Sequence, residues 1–229
     1  KVAARDGDDA ASARHLSRYL ECGGEASEET TRMVFDSHRK LGRHAEAIAA
    51  GEQLLQLHPQ DKGLLLDMAD LLAAANNHVG ALGCLARLRE MDPDDLGIRR
   101  RITEAENLRK RHRIEELAAH ALTAAEPGHA LEELGDLYHD LGQFNDAIVT
   151  YQRAALQPGM HDVATAKLGY VLARKEMFTE AQEALAEVEL RIDQQPDEQR
   201  KLKRLLFKTA ELMENEKRVD EALAVYKRV

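Results

Sequence analysis

Apolar residues recur at intervals of three and four positions along nearly the whole chain, which is the spacing of amphipathic helices. The clearest stretch is 128–160, where two apolar stripes stand on either side of Gly142. The stripes consist of Leu131, Leu134 and Tyr138, and of Ala147, Tyr151 and Ala154. The pattern predicts two helices that pack as a pair, and similar patterns on both sides predict an all-α protein.

The helix-pair pattern repeats along the chain. Successive prolines are separated by 34, 34, 31 and 38 residues; they are Pro59, Pro93, Pro127, Pro158 and Pro196. The pair Leu134-Gly135 recurs 34 residues later as Leu168-Gly169. Because one helix pair cannot bury both of its apolar stripes alone, neighbouring pairs must stack on each other. The period therefore predicts a repeat array.

Residues 128–160 also carry a specific order of residue types: a large apolar residue, Leu-Gly, Tyr, then Ala, an aromatic residue and Pro. The residues are Leu131, Leu134, Gly135, Tyr138, Gly142, Phe144, Ala147, Tyr151, Ala154 and Pro158. In this order the sequence resembles the tetratricopeptide-repeat (TPR) family, and the resemblance covers nearly the whole chain. It implies a right-handed α–α superhelix, or solenoid, of about six helix pairs plus a leading helix.

We predict that residues 1–229 form a single array. Its parts are 1–27 (partial repeat), 28–61, 62–95, 96–127 (degenerate repeat), 128–161, 162–202 (longer second helix) and 203–229 (truncated repeat). Phe35 stands where the family usually has Gly or Ala, and Glu115 stands where Ala is expected. Asn145, Thr179 and Asp220 are predicted to cap second helices. We also expect the chain to be a piece of a longer protein.

Composition and charge narrow the classes of function. Of 229 residues 44% are apolar, and 41 acids against 32 bases give a net charge of −9. Such acidity argues against a general nucleic-acid or anionic-membrane binder, since both need clustered positive charge. No apolar run approaches the roughly 18 residues that span a bilayer. Cys22 and Cys84 form no C-x-x-C pair, so we expect a reducing, cytoplasmic location.

Motifs for catalysis are missing from the sequence. It has no G-x-G-x-x-G or G-x-x-x-x-G-K phosphate loop and no Gly-x-Ser-x-Gly motif. The ten histidines form no H-E-x-x-H motif, and none stands at metal-ligand spacing from a cysteine. His112 and His120 would lie two turns apart on one helix, but no third ligand accompanies them. We therefore predict that the chain is not an enzyme and binds no cofactor and no metal.

Two neighbouring segments carry opposite charges. Segment 96–113 has a net charge of +5, and segment 128–150 has a net charge of −5. One interpretation is a bipolar docking surface, and the other, which we favour, is that neighbouring repeats pair their own charges. Nucleic-acid binding by the Arg99–Arg113 cluster is a third hypothesis, weakened because no aromatic residues alternate with the arginines.

The resemblance implies that the first helix of each pair lines a concave, peptide-binding groove. The matching positions are Arg32, Asp36, Asp67, Asp70, Arg100, Glu104, Glu132, Glu133, Asp136, Tyr170, Arg174, Phe207 and Glu211. Family members that grip a C-terminal carboxylate have Lys, Asn and Arg at such positions, whereas this chain has mainly acids. We therefore predict an acidic groove and a partner with basic and apolar residues. Tyr170 and Phe207 are the candidate anchors, although Phe207 equally fits packing between repeats.

The hypothesis from sequence is a non-enzymatic scaffold that binds a peptide or protein segment. The alternative is an accessory, substrate-presenting region of a larger enzyme, for example a glycosyl- or sulfotransferase. Ends of the array that lack a polar outer helix also predict end-to-end self-association. Nucleic acid and membrane insertion are not expected.

Overall fold

A computed structural model describes residues 27–189 and 196–229, together with His15 and Arg18. Residues 27–189 and 196–229 form eleven α-helices and no strand, so the predicted all-α fold is confirmed. The chain divides into an N-terminal unit, Lys1–Arg109, and a C-terminal unit, Lys110–Val229. Most of the predicted leading segment, 1–27, lies outside the described residues.

The N-terminal unit contains two helix pairs and the start of a long helix. The helices are α1 (Glu28–Lys40), α2 (His44–Leu57), α3 (Lys62–Ala74), α4 (His78–Met91) and α5 (Leu96–Thr123). Helix α1 packs on α2, α3 packs on α4, and α2 contacts α3. Short connections make each pair antiparallel. One apolar core, centred on Phe35, Leu65 and Met68, runs through the unit.

The C-terminal unit contains the end of α5 and three further pairs. The helices are α6 (Gly128–Asp140), α7 (Phe144–Ala155), α8 (His161–Arg174), α9 (Phe178–Ala186), α10 (Pro196–Asn215) and α11 (Val219–Tyr226). They pair as α6 with α7, α8 with α9 and α10 with α11, and α8 also packs against α7 and α10. The first helices α6, α8 and α10 are the elements that matter for the site below.

Each pair depends on a tight turn and on a small residue after it. The turns between paired helices contain a residue with a left-handed backbone; these residues are Gly42, Asn76, Gly142, Glu176 and Lys217. Early in each second helix an alanine is almost fully buried: Ala47, Ala81, Ala147, Ala181 and Ala222. The alanines let the two helices of a pair approach closely, which fixes their crossing.

A second close contact lies deeper in each pair. An added Cβ on Gly135 of α6 would stand 2.5 Å from the ring of Tyr151 on α7. In the first pair the sizes are reversed, because Phe35 lies on α1 and Gly51 on α2, where a Cβ would stand 2.9 Å from the Phe35 ring. Phe35 therefore does not weaken the first repeat; Gly51 makes room for it.

The predicted helix pair over 96–127 is wrong, because α5 is one continuous helix of 28 residues. No Gly or Pro interrupts residues 98–123, and Arg, Glu, Leu and Ala favour helix there. A hairpin would also place Glu115 at the buried alanine position, and burying an unpaired carboxylate is costly. In the continuous helix Glu115 is exposed.

The boundaries around 162–202 also differ from the prediction. The second helix, α9, has only 9 residues instead of being longer. After it, the backbone N–H of Glu189 donates to the Asp162 carboxylate at 3.0 Å, and Val188 is buried. The next first helix begins at Pro196, not at 203, since Pro fits the first turn of a helix.

The predicted caps of the second helices are wrong by two positions. Asn145, Thr179 and Asp220 lie in the first turn, and the N-cap residues are Gln143, Met177 and Arg218. None of these three N-caps makes a side-chain capping hydrogen bond. The Asn145 side chain instead accepts a hydrogen bond from the Lys175 ammonium group.

Candidate functional site

The first helices of the C-terminal unit line a cavity of about 570 Å³. Its lining residues are His129, Glu132, Gly159, Met160, Val163, Lys167, Glu198, Lys201, Leu202, Arg204, Leu205 and Lys208. The apolar side chains come mainly from α8 and α10, and charged side chains surround them. A volume of this size lies within the range of roughly 300–1,000 Å³ that is usual for ligand pockets. We call this space the α6–α8–α10 cavity.

The α6 side of the cavity is neutralised by a lysine from α8. The Lys167 Nζ lies 2.7 Å from the Glu132 Oε1 and 2.6 Å from the Asp136 Oδ2. The Tyr151 hydroxyl donates to the Asp136 Oδ1 at 2.6 Å, and burial, together with Asp136, raises the pKa of Tyr151. Tyr151 therefore remains a donor at neutral pH. Glu132 and Asp136, two of the predicted groove acids, thus belong to a hydrogen-bond network within the C-terminal unit.

The third predicted acid of α6 pairs with the preceding helix. Arg113 of α5 holds Glu133 through two bonds, Nε–Oε1 at 2.8 Å and Nη2–Oε2 at 3.1 Å. The bidentate pair lowers the pKa of Glu133. Lys110 of α5 makes a single contact with the Asp140 carboxylate of α6, at 2.8 Å. The basic end of α5 and the acidic α6 thus pair with each other, as the favoured interpretation of the two charged segments expected.

The α10 wall of the cavity is basic. Lys201, Arg204 and Lys208 all line the cavity, at intervals of three and four residues that put them on one helix face. None of the three forms a salt bridge with a described carboxylate. Among the described residues that line the cavity, four Lys and Arg side chains face two Glu side chains. The described lining of this cavity is therefore basic, while the acidic groove along the whole array stays a prediction.

The remaining candidates of the C-terminal unit lie outside the cavity lining. The Tyr170 ring lies 5.6 Å from the His139 ring, and the Arg174 guanidinium lies 5.6 Å from the centre of the Phe144 ring. Phe207 packs 5.4 Å from Tyr226 and is still 46% exposed. Glu211 is exposed on the same helix as Phe207. The two predicted aromatic anchors thus already have partners within the chain.

The candidates of the N-terminal unit are mostly engaged in ion pairs. Arg32 approaches Asp61 at 3.6 Å, and Arg100 bonds Glu104 at 2.9 Å. Asp67 pairs with Arg39, and Asp70 pairs with Arg101. Asp36 is partly buried on α1. The Asp67 and Asp70 pairs connect different helices, whereas the Arg100–Glu104 pair lies within α5, so the first role of these pairs is structural.

The residues that make the cavity basic and apolar are not among the site residues predicted from the sequence. The predicted boundary at 203 places Lys201 in the preceding repeat, whereas the structure places it on α10. The signal was present, since α10 contains Lys201, Arg204 and Lys208 at helical spacing. Val163, which contributes to the apolar floor, carried no distinguishing signal in the sequence.

Neither of two further classes of site is found among the described residues. No group of three or more His, Cys, Asp or Glu side chains among them is placed to hold a metal ion. In the same ranges, no helix combines the length and the apolar character needed to cross a membrane.

Tetratricopeptide-repeat family models match residues 38–99 and 128–156. A search of curated proteins finds no match. Among solved structures, the P58(IPK) TPR domain aligns with 16% identity and a TM-score of 0.41, over 99% of this chain and 56% of its own. This chain thus spans little more than half of that protein's length.

Two further solved structures are similar at the same level. The MamA protein aligns with 18% identity and a TM-score of 0.34, over 84% of this chain and 97% of its own. A tetratricopeptide repeat protein from Parabacteroides merdae ATCC 43184 aligns with 14% identity and a TM-score of 0.39, over 98% of this chain and 80% of its own.

Proposed function

Because the chain belongs to the tetratricopeptide-repeat family, we propose that it is a non-enzymatic scaffold that binds a segment of a partner protein in the α6–α8–α10 cavity. Tetratricopeptide repeats support protein interaction, and they are generally not catalytic. The proposal adds the place of binding, which family membership does not specify.

The observation that carries the proposal is the construction of the cavity. Met160, Val163 and Leu205 provide an apolar floor, and charged side chains surround it. Such an arrangement can bury apolar side chains of an occupant while the charges orient its polar groups. The three walls come from first helices, which the Lys167 network and the α8–α10 packing hold together. A preorganised cavity loses less entropy when a segment binds.

The test is a selection with a random 12-residue peptide library displayed on phage, followed by calorimetry on the selected peptides. Val163→Glu places a charge in the floor, and we expect it to weaken binding at least tenfold. Val149→Glu is the matched control, because Val149 is exposed on α7 and does not line the cavity. We expect the Val149 variant to bind as the unchanged protein does.

Val163 is partly buried, so the folding of its variants must be checked by circular dichroism. Val163→Ala removes apolar contact without adding a charge, and we expect a smaller loss of affinity in the same direction. Selected peptides that bind equally well to the unchanged protein and to both folded Val163 variants would contradict the proposal. So would a selection that enriches no peptide.

A further inference from the structure

We infer that the segment bound in the α6–α8–α10 cavity is acidic and apolar, with Asp or Glu side chains placed next to large aliphatic ones. This inference rests on the proposed function and adds the chemistry of the partner. It reverses the expectation from the sequence, which was a basic partner.

The α10 wall carries positive charges that form no salt bridge with a described carboxylate. Lys201, Arg204 and Lys208 project from one face of α10 into the cavity lining. No described carboxylate forms a salt bridge with any of them, although the chain as a whole has a net charge of −9. Three adjacent positive charges repel each other, and an acidic ligand relieves that repulsion.

The opposite wall, formed by α6, offers little net charge to an occupant. Glu132 is the one α6 carboxylate in the lining, and Lys167 already contacts it at 2.7 Å. Both side chains of this pair are only 22% exposed, so the pair offers little net charge to an occupant. The remaining acid, Glu198, lies in the first turn of α10, where the helix dipole favours it. A basic segment would therefore meet the wrong charge along most of α10.

The floor of the cavity is apolar. Met160, Val163 and Leu205 lie between the two walls and can contact aliphatic side chains. No Phe, Tyr or Trp is found among the described lining residues, and stacking on aromatic rings is the usual way in which proteins hold single-stranded bases. A protein segment with alternating acidic and aliphatic residues matches both the wall and the floor, whereas a nucleic acid matches the wall alone.

The experiment extends the library selection and reads out composition. We expect the selected peptides to be enriched in Asp and Glu next to Leu, Ile or Val. The triple variant Lys201→Glu, Arg204→Glu, Lys208→Glu should bind them at least tenfold more weakly. Their affinity for the unchanged protein should also fall as the salt concentration rises.

A matched control changes the net charge by the same amount at other places. Arg89→Glu, Arg153→Glu and Lys227→Glu reverse three exposed bases outside the cavity lining, and we expect affinity to change less than threefold. An equal loss in both triple variants would mean that only overall charge matters, which overturns the inference.

The failure of the inference can be distinguished from the failure of the proposed function. Basic or uncharged peptides that still need Val163 would overturn the acidic partner while the cavity remained the binding place. Peptides indifferent to Val163 would overturn both. A fluorescent dT20 oligonucleotide is the last probe; if it bound more tightly than the best peptide and lost binding in the Lys201–Arg204–Lys208 variant, a nucleic acid would replace the acidic segment.

Discussion

Repeats 28–61 and 128–161 solve the same packing problem in opposite ways. In 128–161 the first helix has a small residue at the crossing, Gly135, and the second helix has a large one, Tyr151. In 28–61 the first helix has the large residue, Phe35, and the second helix has the small one, Gly51. Both pairs of residues are 16 positions apart. The comparison shows that the combined size of the two side chains is constrained. Which of the two helices carries the small residue is not.

The other two complete repeats support this interpretation. Ala69 and Leu85 occupy the same two positions in 62–95, and Gly169 and Leu185 occupy them in 162–202. An added Cβ on Gly169 would stand 2.6 Å from Leu185. Each crossing thus combines one large and one small side chain, because a closely packed interior accepts a fixed total volume.

The strongest way to break the arrangement is to enlarge the small side. We expect Gly135→Leu to destabilise the protein by about 3 kcal/mol, since its side chain would overlap the Tyr151 ring. Gly83→Leu is the control, because Gly83 is a helical, exposed glycine with no atom within 4 Å of an added Cβ. That substitution should stabilise the protein by up to about 1 kcal/mol through helix propensity. Urea unfolding followed by circular dichroism measures both, and equal effects would refute the steric argument.

A double-mutant cycle tests the exchange of sizes directly. Phe35→Gly leaves a cavity and Gly51→Phe creates an overlap, so each single variant should be destabilised by about 3 kcal/mol. The double variant recreates the orientation of 128–161, and we expect it to recover about 1–3 kcal/mol relative to the sum of the singles. Met68 also borders Gly51, and its flexible side chain can move aside.

The control for this cycle combines residues of different core clusters. Phe35→Ala and Leu185→Ala belong to the cores of the N-terminal and C-terminal units, so their effects should add. If the Phe35–Gly51 cycle were as additive as this control, the two positions would not compensate each other.

The sequence predicted the helix pairs, the period and the family, because apolar spacing and small residues at crossings leave local signals. A compensation between two helices leaves no such local signal, so in the sequence Phe35 stands only as a departure from the family pattern, although Gly51 follows 16 residues later. The hairpin over 96–127 failed for a similar reason. The length of 96–127 matches the period, but no residue type in it shows whether a turn is present. Turns of other pairs place Glu176 and Lys217 in a left-handed backbone, so residue type alone does not mark a turn.

The candidate site was less predictable than the fold. Family positions indicated which helices face the cavity, and Glu132 does line it. They did not indicate which charges are already paired, because Lys167 lies 35 residues after Glu132 and its reach depends on how the pairs stack. Net charge along a segment is therefore a poor guide to the charge of a groove.

Lys167 of the C-terminal unit and Lys62 of the N-terminal unit form ion pairs of different exposure, and this difference can be measured. Lys167→Met removes the cation shared by Glu132 and Asp136 but keeps most of the side-chain volume. We expect a loss of about 1–3 kcal/mol, because two partly buried carboxylates lose their partner. Lys62→Met is the control, since Lys62 meets Asp92 at 3.9 Å on the surface and such pairs contribute less than about 1 kcal/mol. Similar losses in both variants would show that the Lys167 network has no special role.

The smallest expected effect concerns helix caps, where the two units differ at one matching position. Asn77 and Gln143 begin the second helices α4 and α7 with nearly the same backbone, φ −86° and ψ 71° against φ −83° and ψ 64°. The Asn77 side chain accepts a hydrogen bond from the Gly80 N–H at 2.9 Å, whereas Gln143 makes no capping bond. The shorter Asn side chain has the right reach for this bond, and the longer Gln side chain does not.

We therefore expect opposite signs from reciprocal substitutions. Asn77→Gln should destabilise the protein by about 0.5–1 kcal/mol, and Gln143→Asn should stabilise it by a similar amount because the Asp146 N–H gains an acceptor. Gln143→Ala should change little, since no capping bond is lost. Thermal unfolding resolves these shifts if all three variants are compared under one condition. Destabilisation by Gln143→Asn would show that the two helix starts, despite their matching backbone angles, do not have equivalent surroundings.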